Sequence, residues 1–444
     1  MRNAALIELR SKVSEIAQSQ SIGRVVSVDG HLIKVSGLQE VVSLGDRLRL
    51  FRRDGSVLMG DVLGLSEDGT TMLPDALPTP VALSARVMPL GMPRIHPDPS
   101  WIGRVIDPYG APLDGRPLTK GPYAVGVHNN PPDAVSRKPL GKRLKTGFHL
   151  FNTILPIVKG QRVGIFAGSG VGKSRLLADL IKTLQADVVV LALVGERGRE
   201  INEFTHSVLG DDGMMRTVVI AASADTAPSS RMRCSLSAMR VAEYFRDLGR
   251  HVLIIIDSVT RFAEAQREVA VSAGEFPSVR GFPPSTPMQI TKLAERAGPG
   301  VDGSGDITAV FSVLVAASDM NEPIADMLRG VLDGHIVLDR DLADRGHFPA
   351  VDVLKSVSRS LPEAADAEEN KWILKARRLM SRYEESSALV QAGLYVEGTD
   401  QELDHAILFQ RAFTEFCTAC TEKDITTSFE TLRICLRRNN AITK

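Results

Sequence analysis

Eight consecutive residues, Ala167-Gly168-Ser169-Gly170-Val171-Gly172-Lys173-Ser174, carry the densest chemistry in the chain. Glycines let backbone N–H groups turn inward around an anion, and a helix start behind them adds a favourable dipole. The run follows an apolar stretch, Val163–Ala167, and opens a helical one, Ser174–Leu184, which is the setting a phosphate loop requires. In that reading Lys173 reaches the outer phosphates of ATP, and the Ser174 hydroxyl ligates Mg2+. Ala167 stands where the strict pattern has glycine; its small Cβ fits if its φ stays negative.

Two carboxylates complete the candidate chemistry. Asp257 follows the apolar run His251–Ile256, and an acid just past a buried strand beside a phosphate loop holds Mg2+ and its water. Glu196 closes another apolar run, within Gly195-Glu196-Arg197-Gly198-Arg199-Glu200, where a lone carboxylate can orient and polarise the attacking water. Arg197 beside it can steady the γ-phosphate. Each residue alone has an ordinary explanation as a helix cap or a charged loop. Three strand ends converging on one face favour hydrolysis of ATP.

These side chains need a scaffold. Apolar strand candidates Val163–Ala167, Val188–Val194, Thr217–Ala222, Val252–Ile256 and Ile307–Ala316 alternate with helical stretches such as Met232–Leu248. That alternation predicts a mostly parallel sheet with ligands at its carboxyl edge. Before it, Arg24–Val28 and Leu32–Val35 flank Asp29-Gly30, while Arg47–Leu50 and Val57–Val62 flank Asp54-Gly55. Such short strands and tight turns predict a small closed barrel. Proline is dense from Pro74 to Pro99, as in an interdomain connection. Glu363–Arg382, Asp400–Ala419 and Ser428–Arg438 read as helices, and Leu6, Leu9, Val13 and Ile16 mark a short amphipathic helix at the start.

Composition excludes little but points one way. Lys plus Arg balances Asp plus Glu at 53 each, so bulk charge makes no case for nucleic acid. The apolar stretches fall short of the ~20 residues a membrane helix needs, and the first residues lack an export signal. Cys234, Cys417, Cys420 and Cys435 are too few for a disulfide framework and read as reduced thiols.

The run Phe166–Ser174 resembles the phosphate loop of the type III secretion ATPases, relatives of the catalytic beta subunit of the rotary F-type ATP synthase. The likeness extends over about residues 20–435. It includes Gly103-Arg104-Val105-Ile106-Asp107, Ala242-Glu243-Tyr244-Phe245-Arg246-Asp247, Asp257-Ser258-Val259-Thr260-Arg261-Phe262-Ala263, Leu332-Asp333-Gly334-His335 and Gly346-His347-Phe348-Pro349. Phe282–Ile290 keeps the family's Pro-Pro-Ser and then diverges.

The resemblance implies an α/β fold: a RecA-like P-loop ATPase core over 91–362, an N-terminal small β-barrel over 21–90 and a C-terminal helical domain over 363–444, with the amphipathic helix over 1–20. It makes Glu196 the catalytic carboxylate and places Arg197 and Arg261 near the γ-phosphate. By the same resemblance Phe348 would set its ring against adenine, and Arg359 would be an arginine finger for the neighbouring subunit's ATP. It further implies a cytoplasmic homohexamer at the inner membrane export apparatus. The partners would be a stator-like regulator on the N-terminal helix, a coiled-coil central stalk, the export gate complex, and substrates with their chaperones, but no nucleic acid.

The glycine-loop sequence points to the secretion branch rather than a rotary synthase, and the flagellar system is favoured over the injectisome. A ring ATPase acting on RNA would need an aromatic-studded basic barrel, whereas Phe51 is the barrel segment's only aromatic residue. A scaffold that binds ATP without hydrolysing it is a further alternative, which measurable hydrolysis lost on Glu196→Gln would remove.

Overall fold

The computed structural model describes residues 21–278, 281–315, 320, 322–419 and 424–437. The amphipathic helix expected at the start, together with Cys420, lies outside these residues.

Six strands, β1 (Gly23–Asp29), β2 (Leu32–Ser36), β3 (Arg47–Phe51), β4 (Val57–Ser66), β5 (Gly69–Pro74) and β6 (Arg86–Gly91), close into a barrel in the order β1-β2-β5-β4-β3-β6. Alternation sends Ile33, Val35, Leu48, Leu50 and Val87 fully inside, and closure leaves no unpaired edge. Arg47 is buried against Asp61 (3.1 Å) and Asp75. β6 corrects the reading of 74–99 as connection alone. Its Pro89 pairs with Leu48 where the β3 register shifts, an irregularity that accommodates a residue without an N–H.

The second unit is built on an eight-stranded sheet. In chain order its strands are β7 (Val105–Ile106), β8 (Arg162–Ala167), β9 (Val188–Glu196), β10 (Thr217–Ser223), β11 (Val252–Asp257), β12 (Ile307–Leu314), β13 (Gly334–Leu338) and β14 (Val351–Ser358). In space the order is β14-β13-β8-β12-β11-β9-β10-β7, parallel throughout except for β14. Both faces are covered, so β9 and β11 read as continuous apolar runs rather than alternating ones.

The covering helices include α1 (Lys173–Thr183), α2 (Pro228–Asp247) and α3 (Ser285–Glu295). The chain then forms α4 (Ala367–Gln391), α5 (Gln401–Thr418) and α6 (Ile425–Arg437), whose Leu379, Phe409, Phe413 and Phe429 share one core with β8 and β9. α4 starts later than the expected Glu363, because Asp366 and Glu369 form a reciprocal capping box there.

Candidate active site

β8, β11 and β9 end on one edge of the sheet, with β12 between β8 and β11, and each contributes one chemical group. Ala167 closes β8 in extended backbone, so the glycine the strict motif prefers is not needed there. Left-handed geometry begins further on, at Gly170 (φ 79°) and Gly172 (φ 85°). Gly172 caps α1, which opens at Lys173. A Cβ on Gly172 would stand 2.9 Å from Cδ1 of Phe348, so the Phe348 ring lies against the loop. That ring is half exposed.

Lys173 extends from α1 to the tip of β11, where its ammonium contacts Asp257 and donates to the Ser312 hydroxyl at 3.3 Å. Ser312, on β12, donates to the same carboxylate oxygen at 2.5 Å. Both members of the lysine–aspartate pair are buried, with side chains only 10% and 5% exposed. A buried pair of this kind persists only when its charges are compensated. Lys173 therefore stands already dehydrated, beside the loop that would receive phosphate oxygens.

Glu196 is aimed by a local irregularity. The β9–β10 register shifts between Val194 and Glu196, and Gly195 between them adopts φ 68° with Arg261 carbons 3.5–3.6 Å from where a Cβ would sit. This bulge turns the carboxyl into a cleft of about 230 Å3 that also receives Ser174, Glu200, Phe204 and Asp257. Burial, then the Asp257 charge and a hydrogen bond with Glu200, push the Glu196 carboxyl up to about 7, against a pull from Lys173.

That shift has a stability consequence. Between pH 4.5 and 7 the folded chain keeps a proton on Glu196 that the unfolded chain has released, so this group's contribution falls as pH rises through that window. Glu196→Gln mimics the protonated form at every pH. Without nucleotide its thermal midpoint should match the parent's at pH 4 and exceed it at pH 8. A difference equal at both pH values would remove this assignment.

The other sequence candidates are placed as follows. Arg261 pairs with Glu264 at 3.1 Å, and its buried Nε–H has no acceptor among the described residues. Arg197 points into solvent, 83% exposed and 3.7 Å from Glu200. Arg359 is exposed, donating from Nη2 to the Arg329 carbonyl at 3.1 Å and from its backbone to Asp333 at 3.0 Å. Asp333 precedes β13, so Arg359 lies at the amino edge of the sheet, roughly 20 Å along the strands from the loop after β8. Sequence reasoning missed Ser312 and Glu200. Ser312 is one of two hydroxyls in an otherwise apolar strand, and Glu200 sits four residues past Glu196 in the first turn of a helix.

A glycine loop at a strand-to-helix turn, a buried lysine–aspartate pair and a raised carboxyl at the third strand tip define a phosphate-loop nucleotide hydrolase. The ATP synthase alpha/beta family, nucleotide-binding domain, matches residues 147–358, and the T3SS EscN ATPase C-terminal domain matches residues 365–427. The flagellum-specific ATP synthase of Agrobacterium fabrum is 44% identical over 87% of this chain and 81% of its own length. That of Bacillus subtilis is 41% identical over 90% and 91%. The type 3 secretion system ATPase of Xanthomonas euvesicatoria is 39% identical over 94% and 93%. Among solved structures, the assembled ATPase EscN from the enteropathogenic E. coli type III secretion system superposes with TM-score 0.85 at 33% identity, covering 93% of this chain and all of that one. The chain belongs to the ATP synthase alpha/beta family, in its branch of flagellum-specific and type III secretion ATPases. It is an ATPase.

Proposed function

We propose that this chain is the ring ATPase that energises type III protein export, of flagellar components in particular. The observation that carries the reading is the meeting of Lys173, Asp257 and Glu196 at strand tips on one edge of the sheet, in a chain similar to flagellum-specific ATPases from several bacteria. Asp257 and the Ser174 hydroxyl, facing one cleft beside the loop, suit a hard divalent cation, and Mg2+ there would neutralise phosphate charge. Lys173 exchanges Asp257 for phosphate oxygens, Glu196 accepts a proton from the attacking water, and Phe348 stacks on the base. Arg261 and Arg197 supply positive charge toward the γ-phosphate, Arg197 by swinging in from solvent.

Assembly follows the same lines. EscN has been solved as an assembled ATPase and in complex with a central stalk. A homohexamer around a coiled-coil stalk is the corresponding reading here, with the 1–20 helix on a stator-like regulator and substrates delivered with chaperones to the export gate. A cytoplasmic protein docked peripherally on the inner membrane fits the finding that no described helix is long and apolar enough to cross a membrane. The division at 21–90, 91–362 and 363–444 belongs to the same reading, supported by β6 ending at Gly91 and α4 starting at Ala367.

Deletion in the host tests the cargo. Flagellar rod and hook proteins should vanish from the culture medium and return with the parent chain but not with Glu196→Gln. Normal flagellar secretion in the deletion strain, with loss of needle proteins instead, would transfer the chain to an injectisome.

A further inference from the structure

A second charged cleft lies at the opposite edge of the sheet from the phosphate loop. Glu295, the last residue of α3, pairs with Arg162, the first residue of β8, at 2.5 Å, whereas the phosphate loop follows the last residue of β8. Beside that anchor, His128, Gln289, Lys292 and Arg296 face a cleft of about 300 Å3 whose apolar wall is Leu236 and Leu293.

The charge there does not balance. Glu243 is fully buried and accepts from Arg296 at 2.7 and 3.1 Å, from Arg240 at 2.8 Å and from Asn129 at 2.9 Å. Four donor contacts use up its acceptor capacity. Arg233, 6% exposed, stacks on Tyr109 at 5.1 Å, and among the described residues its buried Nε–H has no acceptor, nor has that of Arg240. Among the described residues Lys292 has no ion-pair partner, and no carboxylate lines the cleft. Of these cations Lys292 and Arg296 line the cleft, and among the described residues Glu243 is the one carboxylate bonded to any of Arg233, Arg240, Lys292 and Arg296. After burial, the positive charges of Arg233, Arg296 and Lys292 hold the His128 imidazole below its ordinary range. Cations at the end of α3 suit its dipole. Neither that dipole nor Glu243 explains why Arg233 adds its charge behind the same wall.

We infer that this cleft is a binding site for a phosphomonoester. A dianion matches the surplus positive charge, guanidinium and ammonium groups are strong donors to phosphate, and the side-chain amide of Gln289 can meet a remaining oxygen. Leu236 and Leu293 offer an apolar floor to the organic part, and the volume suits a small molecule. The site is independent of the nucleotide site and of the export reading.

The test uses the full chain carrying Lys173→Ala, so that the nucleotide loop no longer competes for phosphate. Equilibrium dialysis should find one saturable site per chain for phenyl phosphate, bound at least threefold more tightly than inorganic phosphate. Lys292→Glu or His128→Asp, each with an unchanged melting curve, should weaken binding at least tenfold, and Lys292→Arg should preserve it. Absence of saturable binding, indifference to both charge changes, or equal affinity for phenyl and inorganic phosphate would overturn the inference.

Discussion

Glu196→Gln should lower ATP turnover by roughly 10²–10⁴-fold, the range expected when a positioned general base is lost, or about 3–5 kcal/mol of barrier. Nucleotide affinity should stay near that of the parent. The amide keeps the shape and can still hold water, but it cannot take the proton as the water attacks. A carboxyl poised at about 7 suits that task at neutral pH. Lys173→Ala provides the contrast, because it removes the group that must grip the phosphates and should fail in binding as well. Steady-state hydrolysis and fluorescent-nucleotide titration separate the two outcomes. Wild-type turnover by Glu196→Gln would move the catalytic base elsewhere in the cleft, with Glu200 the nearest alternative.

What the sequence disclosed depended on how far apart the cooperating residues lie. The phosphate loop was legible because its donors are contiguous and its strand-to-helix setting is local. Asp257 and Glu196 were legible as the first polar residues after long apolar runs, which is what strand tips look like in a sheet covered on both faces. Ser312 was not, because a hydroxyl inside β12 acquires meaning only once parallel pairing sets that strand beside Lys173 and Asp257. Glu200 needed the helix start at Gly198, which turns it back toward Glu196. Pro89 concealed β6, since a proline argues against a strand until the partner's register shift is known.

Arg359 raises the question of where an arginine finger can act, and the sheet narrows the answer. β14 runs antiparallel to β13, with Ser358 opposite Gly334, so the chain leaves β14 at the amino edge of the parallel strands while its own phosphate loop lies at the carboxyl edge. No side chain spans that separation, so a role for Arg359 in hydrolysis requires a second copy in a head-to-tail arrangement, the kind of contact that closes a ring. Arg359→Ala should then cost roughly 10³–10⁵ in turnover with nucleotide affinity little changed, and dilution of the parent below its assembly threshold should mimic the loss. Mixing supplies the decisive comparison. Lys173→Ala chains keep the finger and Arg359→Ala chains keep the loop, so each is inactive alone, yet mixed rings contain a statistical share of interfaces with both groups intact. Activity should reappear on mixing and follow the proportion of the two variants. Mixed rings, verified by mass, that stay inactive would reduce Arg359 to a surface residue bonded to Arg329.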